Sequence, residues 1–164
     1  MNIHLASLTG AVFSPDGRYR YALWRVWSPA LPLLLFVGLN PSTANHTMND
    51  PTITRCIKRA TRQGFGGLLV GNLFSLVSSN PEILVGDDQA VGPDTDAYLQ
   101  KMITMATCVL CAWGSFPAVK DRSATVLDMI PEPYCLGVNS DGQPKHPLYI
   151  PYRVQMVKME VLSK

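Results

Sequence analysis

Two asparagines stand where hydrophobic stretches of strand length end. Asn40 follows residues 33–39, and Asn72 follows residues 67–71. An uninterrupted apolar run of this length indicates a strand buried on both faces of a sheet. Polar side chains at the carboxyl ends of parallel strands lie where α/β proteins bind their ligands. An amide both donates and accepts hydrogen bonds, which suits the edge of a base-like or amide-like ring. The alternative for each residue is an asparagine that only stabilises its own turn.

His146 and Ser42 are further candidates for chemistry. His146 follows a predicted strand over residues 134–138, and histidine is the side chain best suited to titrate near neutral pH or to polarise a substrate. The alternative is a solvated loop histidine. Ser42 has no Gly-x-Ser-x-Gly elbow around it, so we place it among the substrate-binding residues and not among nucleophiles. Asn40 and His146 are the catalytic candidates.

A basic helix face is the next polar feature. A helix is predicted to begin at Pro51, behind the capping residue Asp50, and to end at Gly64. One side of this helix is basic, and Arg55 and Arg59 on that side are candidates for binding phosphate. The alternative is an ordinary solvated face, because a net charge of +2 does not by itself indicate a nucleic-acid-binding protein.

The rest of the chain alternates between strand and helix patterns, which predicts a parallel sheet with right-handed crossovers. Further helices are predicted to begin behind Asp94 and near Pro117. Residues 10–27 read as an antiparallel hairpin with a Pro-Asp-Gly turn. The buried strands are predicted over residues 33–39, 67–73, 108–113 and 134–138. We therefore predict a three-layer α/β sandwich with a central, mostly parallel four-stranded sheet and an N-terminal antiparallel hairpin.

Composition limits the class of protein. The 164 residues fit a single α/β domain over residues 1–164, and 47% hydrophobic with 16% charged residues excludes a disordered chain. The first residues lack a secretory signal pattern, and the longest apolar run, residues 30–39, is too short to span a bilayer. Cys108 and Cys111 would diverge on a strand, and no second pair completes a zinc site. We expect a cytoplasmic protein with no metal, no cofactor and no membrane contact.

Seven short strings, in a fixed order along nearly the whole chain, carry a resemblance to a known family. They are Tyr19-Arg-Tyr-Ala-Leu-Trp-Arg25, Leu39-Asn-Pro-Ser-Thr-Ala44, Asn49-Asp-Pro-Thr-Ile53, Gly71-Asn-Leu-Phe74, Val91-Gly-Pro93, Ala112-Trp-Gly114 and His146-Pro-Leu-Tyr149. Together they resemble domain-of-unknown-function family 1643 of bacteria and phages. That family label implies no established activity.

A more distant resemblance does imply chemistry. Gly38-Leu-Asn-Pro-Ser42 is similar to the first motif of mismatch-type uracil-DNA glycosylases, and His146-Pro147 is similar to their His-Pro-Ser second motif. Gly67-Leu-Leu-Val-Gly-Asn72 resembles the strand of other uracil-DNA glycosylases that ends in a base-reading asparagine. The resemblance implies a uracil-DNA-glycosylase-like fold. It also implies that Asn40 positions a water, that Asn72 reads the base edge, and that His146 stabilises the departing base anion.

The same resemblance leaves two roles with alternatives. Either Phe74 or Phe65 would stack on the base. Leu148 stands where the second motif has its serine, and it is either a wedge into the base stack or a core residue. No aspartate stands beside Asn40 in the first motif, so the motif itself supplies no strong general base.

Three functions follow from these features, in order of preference. The first is an N-glycosidic hydrolase acting on a nucleobase in DNA or on a free nucleoside derivative, with DNA or a nucleotide as partner. The second is a non-catalytic module that binds a nucleotide or modified base in the same crevice. The third is an enzyme acting on a small phosphorylated metabolite through the basic helix face. The sequence does not indicate an oligomeric state.

Overall fold

The computed structural model describes residues 3, 5 and 7–160, and these contain seven strands in one sheet and three α-helices. The strands are β1 (Thr9–Phe13), β2 (Arg20–Val26), β3 (Leu33–Gly38), β4 (Gly67–Asn72), β5 (Cys108–Cys111), β6 (Pro133–Cys135) and β7 (Val157–Lys158). The helices are α1 (Pro51–Arg62), α2 (Thr95–Met105) and α3 (Val119–Leu127), with short 3-10 helices at Pro81–Leu84 and Pro147–Tyr149.

The strand order in the sheet is β1-β2-β4-β3-β5-β6-β7. The strand β3 pairs in parallel with β4 and β5, and β5 pairs in parallel with β6. The outer pairings are antiparallel: β1 with β2, β2 with β4, and β6 with β7. The sheet is therefore parallel in its middle and antiparallel towards both edges.

The predicted hairpin exists, but it is not an addition to a four-stranded sheet. Its second strand, β2, pairs along β4 with Leu23 opposite Val70, so the hairpin extends the same sheet. All seven residues of β2 are buried, as expected for a strand paired on both edges and covered on both faces. The prediction of four strands is corrected to seven, because β1, β2 and the unassigned C-terminal strand β7 all join.

Helices cover both faces of the sheet. Neighbouring residues of β3 point to opposite sides, with Phe36 in one core cluster and Val37 in the other. Ile53 of α1 packs into the cluster of Phe36, whereas Leu99 of α2 and Val126 of α3 pack into the cluster of Val37. This double cover explains why the central strands read as continuous apolar runs.

The predicted helix starts are close to the observed ones. Asp50 caps α1 through a hydrogen bond of 2.8 Å from the Ile53 amide to its Oδ1, and Pro51 is the first helical residue. Asp94 occupies the cap position of α2 but makes no capping bond with its side chain. The predicted strands run a few residues too far, because apolar residues continue beyond the last sheet pairing into the loops that follow.

Arg25 of β2 fixes the loop between β3 and α1. Its side chain is buried, with 5% of its surface exposed. Its Nη2 donates to the carbonyls of Asn45 and Met48 at 2.6 and 3.1 Å, and its Nε donates to Asn49 Oδ1 at 2.8 Å. Arg25 is a charged donor, and a charged donor gives a strong hydrogen bond to a carbonyl. The loop that carries Asn40 towards α1 is thus anchored to β2.

Within the described part of the chain, none of the helices has both the length and the apolar character needed to cross a lipid bilayer. The expectation about a leader concerns the first residues of the chain, most of which lie outside the described residues. All four cysteines are free thiols. Cys108 is half-buried and the other three are buried.

Replacing Arg25 by methionine should lower the free energy of unfolding by about 2–4 kcal/mol, because the loop loses the charged donors of a buried side chain. Urea denaturation measures the change. Arg153→Met is the matched control, since Arg153 is exposed and its side chain makes no hydrogen bond within the described structure; it should shift stability by less than about 0.5 kcal/mol. Equal losses in the two variants would contradict the anchoring role.

Candidate functional site

A pocket of about 200 Å³ lies at the carboxyl ends of β3 and β4. Its walls come from these strand ends, from the first turn of α1, from Ser78, Ser79 and Pro81, and from the segment before the second 3-10 helix. The polar side chains that line it include Arg20, Asn40, Ser42, Asp50, Asn72 and His146. Four residues that the sequence analysis selected, from segments far apart in the chain, therefore meet in one concavity.

Asn72, the last residue of β4, presents an amide without a partner. The residue is only 5% exposed, and its side chain makes no hydrogen bond to any residue that the structure describes. Gly38 on the neighbouring strand makes room for it, because a Cβ at Gly38 would lie 2.8 Å from Asn72 Oδ1. Buried polar groups normally have partners, so this amide is available to a ligand.

Asn40 is held through its amide nitrogen. Its Nδ2 donates to the carbonyls of Pro41, Leu76 and Ser78 at 3.1, 3.3 and 3.0 Å. These bonds tie the end of β3 to the segment that follows β4. Only Oδ1 remains to accept a hydrogen bond from a ligand or a water. The side-chain nitrogen of Asn40 therefore stabilises the loops, as the alternative interpretation predicted. Only the side-chain oxygen is available to a ligand.

His146 caps the 3-10 helix Pro147–Tyr149. Its Nδ1 accepts a hydrogen bond from the Leu148 amide at 3.2 Å, so the neutral ring carries its proton on Nε2. Burial lowers the pKa of His146 below its ordinary value of 6.5, and the negative charge of Asp50 opposes part of this shift. At neutral pH His146 is therefore an uncharged ring whose Nε2–H can donate.

Asp50 brings a carboxylate into the pocket, which the sequence analysis recognised only as a helix cap. Its Oδ1 accepts from the Ile53 amide, while Oδ2 makes no hydrogen bond within the described structure. The first turn of α1 lies beside the carboxyl ends of the strands, so its cap residue faces the pocket. The position itself was the missed signal, because a loop after a parallel strand brings the next helix to the ligand edge of the sheet.

Arg20 is the second lining residue that the sequence analysis missed. It begins β2, and its backbone amide donates to the Ser75 carbonyl at 2.9 Å, just beyond the end of β4. Arg20 lines the pocket although only 3% of the residue is exposed. The available signal was an arginine inside an aromatic and apolar strand, since a charge in a buried strand needs a partner or a function.

The comparison with family models decides the family. A model described as protein of unknown function (DUF1643) matches residues 20–148. The chain belongs to this DUF1643 family. The matched range includes every residue that lines the pocket, from Arg20 to His146. No curated protein and no solved structure matches the chain.

The structure of this DUF1643 protein corrects the prediction that Phe74 or Phe65 stacks on a base. Phe74 is buried in the core on the side of α2, and Phe65 precedes β4, at the end of that strand away from the pocket. Neither of them lines the pocket. Phe36 and Trp113 do line it and supply its aromatic surface.

The two remaining substrate-binding candidates have different positions. Ser42 lines the pocket, and its hydroxyl shares a hydrogen bond of 3.3 Å with the hydroxyl of Ser79. Leu148 is half-buried and does not line the pocket; its backbone amide serves as the donor to His146. Leu148 is therefore not placed to contact a group bound in the pocket.

Arg55 and Arg59 on the basic face of α1 donate hydrogen bonds to the C-terminal part of the same chain. Arg55 donates to the carbonyls of Pro147 and Ile150 at 2.8 and 2.5 Å, and Arg59 donates to Val154 at 2.7 Å and to Ile150 at 3.0 Å. Arg59 is only 1% exposed. Both the phosphate-binding and the solvated-face interpretations are corrected, because the segment after His146 folds back over α1 and occupies these donors. The two arginines thereby position the His146 segment.

A metal site is not formed by the described residues, where no three His, Cys, Asp or Glu side chains lie together. Burial raises the pKa of Cys56 to about 12 and that of Cys108 to about 11, so both remain protonated at neutral pH.

The buried His146 should make stability depend on pH. Its folded pKa lies below 6.5, so the unfolded chain binds the proton first. The free energy of unfolding should therefore fall as the pH drops through 6.5 towards the folded pKa. Urea denaturation at a series of pH values measures this slope, which His146→Gln should reduce. NMR of the wild-type ring provides the control, and a titration midpoint for His146 at or above pH 6.5 would contradict the assignment.

Proposed function

We propose that this protein recognises a nucleobase-like ring in the pocket and hydrolyses an N-glycosidic bond, either of a base in DNA or of a nucleoside derivative. The observation that carries the proposal is Asn72, which is buried, lines the pocket and has a side-chain amide without a partner within the described structure. An amide that can donate and accept at once matches the edge of a base, where a carbonyl and a ring N–H stand side by side.

The size of the pocket supports a single ring as its occupant. Its volume of about 200 Å³ is below the roughly 300–1,000 Å³ of sites for drug-sized ligands. A more open depression of about 780 Å³ adjoins it and shares Leu39, Trp113 and His146 with it. We place the base in the smaller pocket beside Phe36 and the sugar in the depression.

The remaining polar groups suit hydrolysis. Asp50 Oδ2 and Asn40 Oδ1 are acceptors that would hold a water, and Asp50 would take its proton as the oxygen attacks C1′ of the sugar. The bond from C1′ to the base nitrogen breaks, and its electron pair leaves with the base. The Nε2–H of His146 would donate to that base and stabilise its negative charge. Asp50 thereby supplies the general base that the first motif lacks.

The distant resemblance to uracil-DNA glycosylases supports the same proposal. Its motif residues Asn40, Asn72 and His146 all line the pocket. The pocket lies at the carboxyl ends of parallel strands, where that resemblance puts the base. We propose a uracil-DNA-glycosylase-like arrangement for the central strands, extended here by the antiparallel pair β1 and β2.

The substrate search tests the proposal directly. The protein is incubated with single- and double-stranded oligonucleotides that carry a panel of altered bases, and with the corresponding free nucleosides. Abasic sites are detected by alkaline strand cleavage, and released bases by chromatography. Excision of at least one base supports the hydrolase.

Asp50→Asn should abolish excision while leaving the helix start intact. Asparagine caps helices about as well as aspartate, so stability should change by less than about 0.5 kcal/mol. The amide cannot accept the water proton, so the rate should fall by about 10²–10⁴-fold. The readout is the single-turnover rate on the best substrate, compared with Asp96→Asn, a carboxylate that does not line the pocket. Full activity in Asp50→Asn would remove Asp50 from the mechanism.

Asn72→Ala should weaken binding of free uracil by about 5–100-fold, because two hydrogen bonds to the ring edge are lost. Calorimetric titration measures the affinity. Asn80→Ala is the control, since Asn80 caps the 3-10 helix Pro81–Leu84 and does not line the pocket. Unchanged uracil affinity in Asn72→Ala would contradict the base-reading role.

A non-catalytic module that binds a nucleotide or modified base is the second candidate. One observation favours it: the amide nitrogen of Asn40 and one carboxylate oxygen of Asp50 are already engaged in holding the fold. Binding of a modified base without release of any base, in the oligonucleotide experiment above, would select this function.

A further inference from the structure

Arg20 holds a positive charge at the pocket with little to neutralise it. Its Nη1 donates to the Ala44 carbonyl at 2.7 Å, whereas its Nε is fully enclosed and has no hydrogen-bond partner within the described structure. Arg20 takes part in neither of the ion pairs Arg122 with Asp96 and Lys158 with Glu132. Within the described part of the chain, Arg20 therefore has no carboxylate at ion-pair distance.

Arg25, the other buried arginine of β2, differs from Arg20 because its guanidinium has hydrogen-bond partners at every nitrogen. Arg25 uses its Nε and both terminal nitrogens as donors to the chain. The Nε of Arg59 also lacks a partner, but Arg59 does not line the pocket and its terminal nitrogens all donate to carbonyls. Arg20 combines an unpartnered nitrogen with a position on the pocket wall.

The guanidinium remains charged. Burial lowers the pKa of Arg20 to about 10, and the negative charge of Asp50 limits the decrease. Arg20 is therefore a cation at neutral pH. Burial of a charge without a contacting counter-charge is unfavourable, and a bound anion would relieve it.

The other groups around the pocket have compatible chemistry. Asp50 carries the opposing negative charge, but its Oδ1 accepts from the Ile53 amide at the N-terminus of α1, where the helix dipole favours negative charge. Neutral His146 offers an Nε2–H, Asn72 offers amide protons and Ser42 offers a hydroxyl. Donors for a negatively charged ligand thus come from several sides.

We propose that the group held in this pocket carries negative charge and that Arg20 pairs with it. The inference rests on the proposed function for the identity of the ring: in that reaction the anion is the departing base, which keeps the electron pair of the broken bond. Arg20 then prepares the pocket for the charge that develops during cleavage. The same chemistry would also accept the oxygen atoms of a phosphate.

Three probes separate these sources of charge. Uracil is a neutral ring, barbiturate is a ring of similar shape that is anionic at neutral pH, and inorganic phosphate is an anion without a ring. Calorimetric titration at neutral pH should show that barbiturate binds at least about tenfold more tightly than uracil, because its hydrogen bonds with Arg20 are charge-assisted.

Variants assign this preference to Arg20. In Arg20→Met the ratio of the barbiturate and uracil affinities should fall to about one, and Arg20→Lys should restore part of it. Arg153→Met is the matched control, since Arg153 is exposed and does not line the pocket; it should keep the ratio and the stability of the wild type. In wild-type protein, the NMR signal of the enclosed Arg20 Nε–H should shift when barbiturate is added.

The outcomes distinguish this inference from the proposed function. Equal affinity for uracil and barbiturate, or an unchanged Arg20 signal, would overturn the anion site and leave base recognition standing. Binding of phosphate with a shifted Arg20 signal, but of neither ring, would support the anion site and overturn base recognition. If none of the three probes binds, both the anion site and base recognition are overturned.

Discussion

Hydrogen bonds from arginine side chains to backbone carbonyls hold the walls of the pocket. The pocket is bounded in part by irregular segments, where backbone carbonyls lack the regular partners that a sheet ladder or an α-helix supplies. Arg25 supplies donors to the loop before α1, and Arg55 and Arg59 supply donors to the segment after His146. A planar guanidinium with several fixed donors can bind carbonyls of two different residues at once, which a lysine ammonium does less well.

The sheet register determines which groups meet between these walls. Gly38 is paired with Asn72 in the parallel ladder of β3 and β4, so the two strands end at the same level. Asn40 then leaves the sheet two residues beyond Gly38, and Arg20 begins the antiparallel strand on the other side of β4. One pocket thus receives residues from parallel and antiparallel neighbours of the same strand.

Much of the fold could be predicted from the sequence. The apolar runs of β3 and β4 and the capping pattern at Asp50 indicated their elements and their order, because local periodicity and capping chemistry suffice for that. The merger of the hairpin into the sheet was not predictable, since pairing between β2 and β4 depends on contacts across a long sequence separation. The convergence of Asn40, Asn72 and His146 followed from the rule that parallel strands end at one edge.

The positions of several residues were missed or wrongly predicted, each for its own physical reason. Arg20 and Arg59 were difficult to interpret because a charged side chain is exposed in most proteins, and only the folded chain reveals which carbonyls surround it. The position of Phe74 depended on the path of the chain after β4 ends, because that path decides on which side of the sheet the ring lies. Asp50 already had a sufficient local explanation as a cap, which hid its second position beside the pocket.

Helix α1 contributes to two walls of the pocket at once. Its cap residue Asp50 lies on one wall, and its middle residues Arg55 and Arg59 hold the segment that carries His146 on another. Asp50 and His146 are therefore both positioned by α1. A displacement of α1 against the sheet would therefore move the carboxylate and the imidazole together, relative to Asn72 on β4.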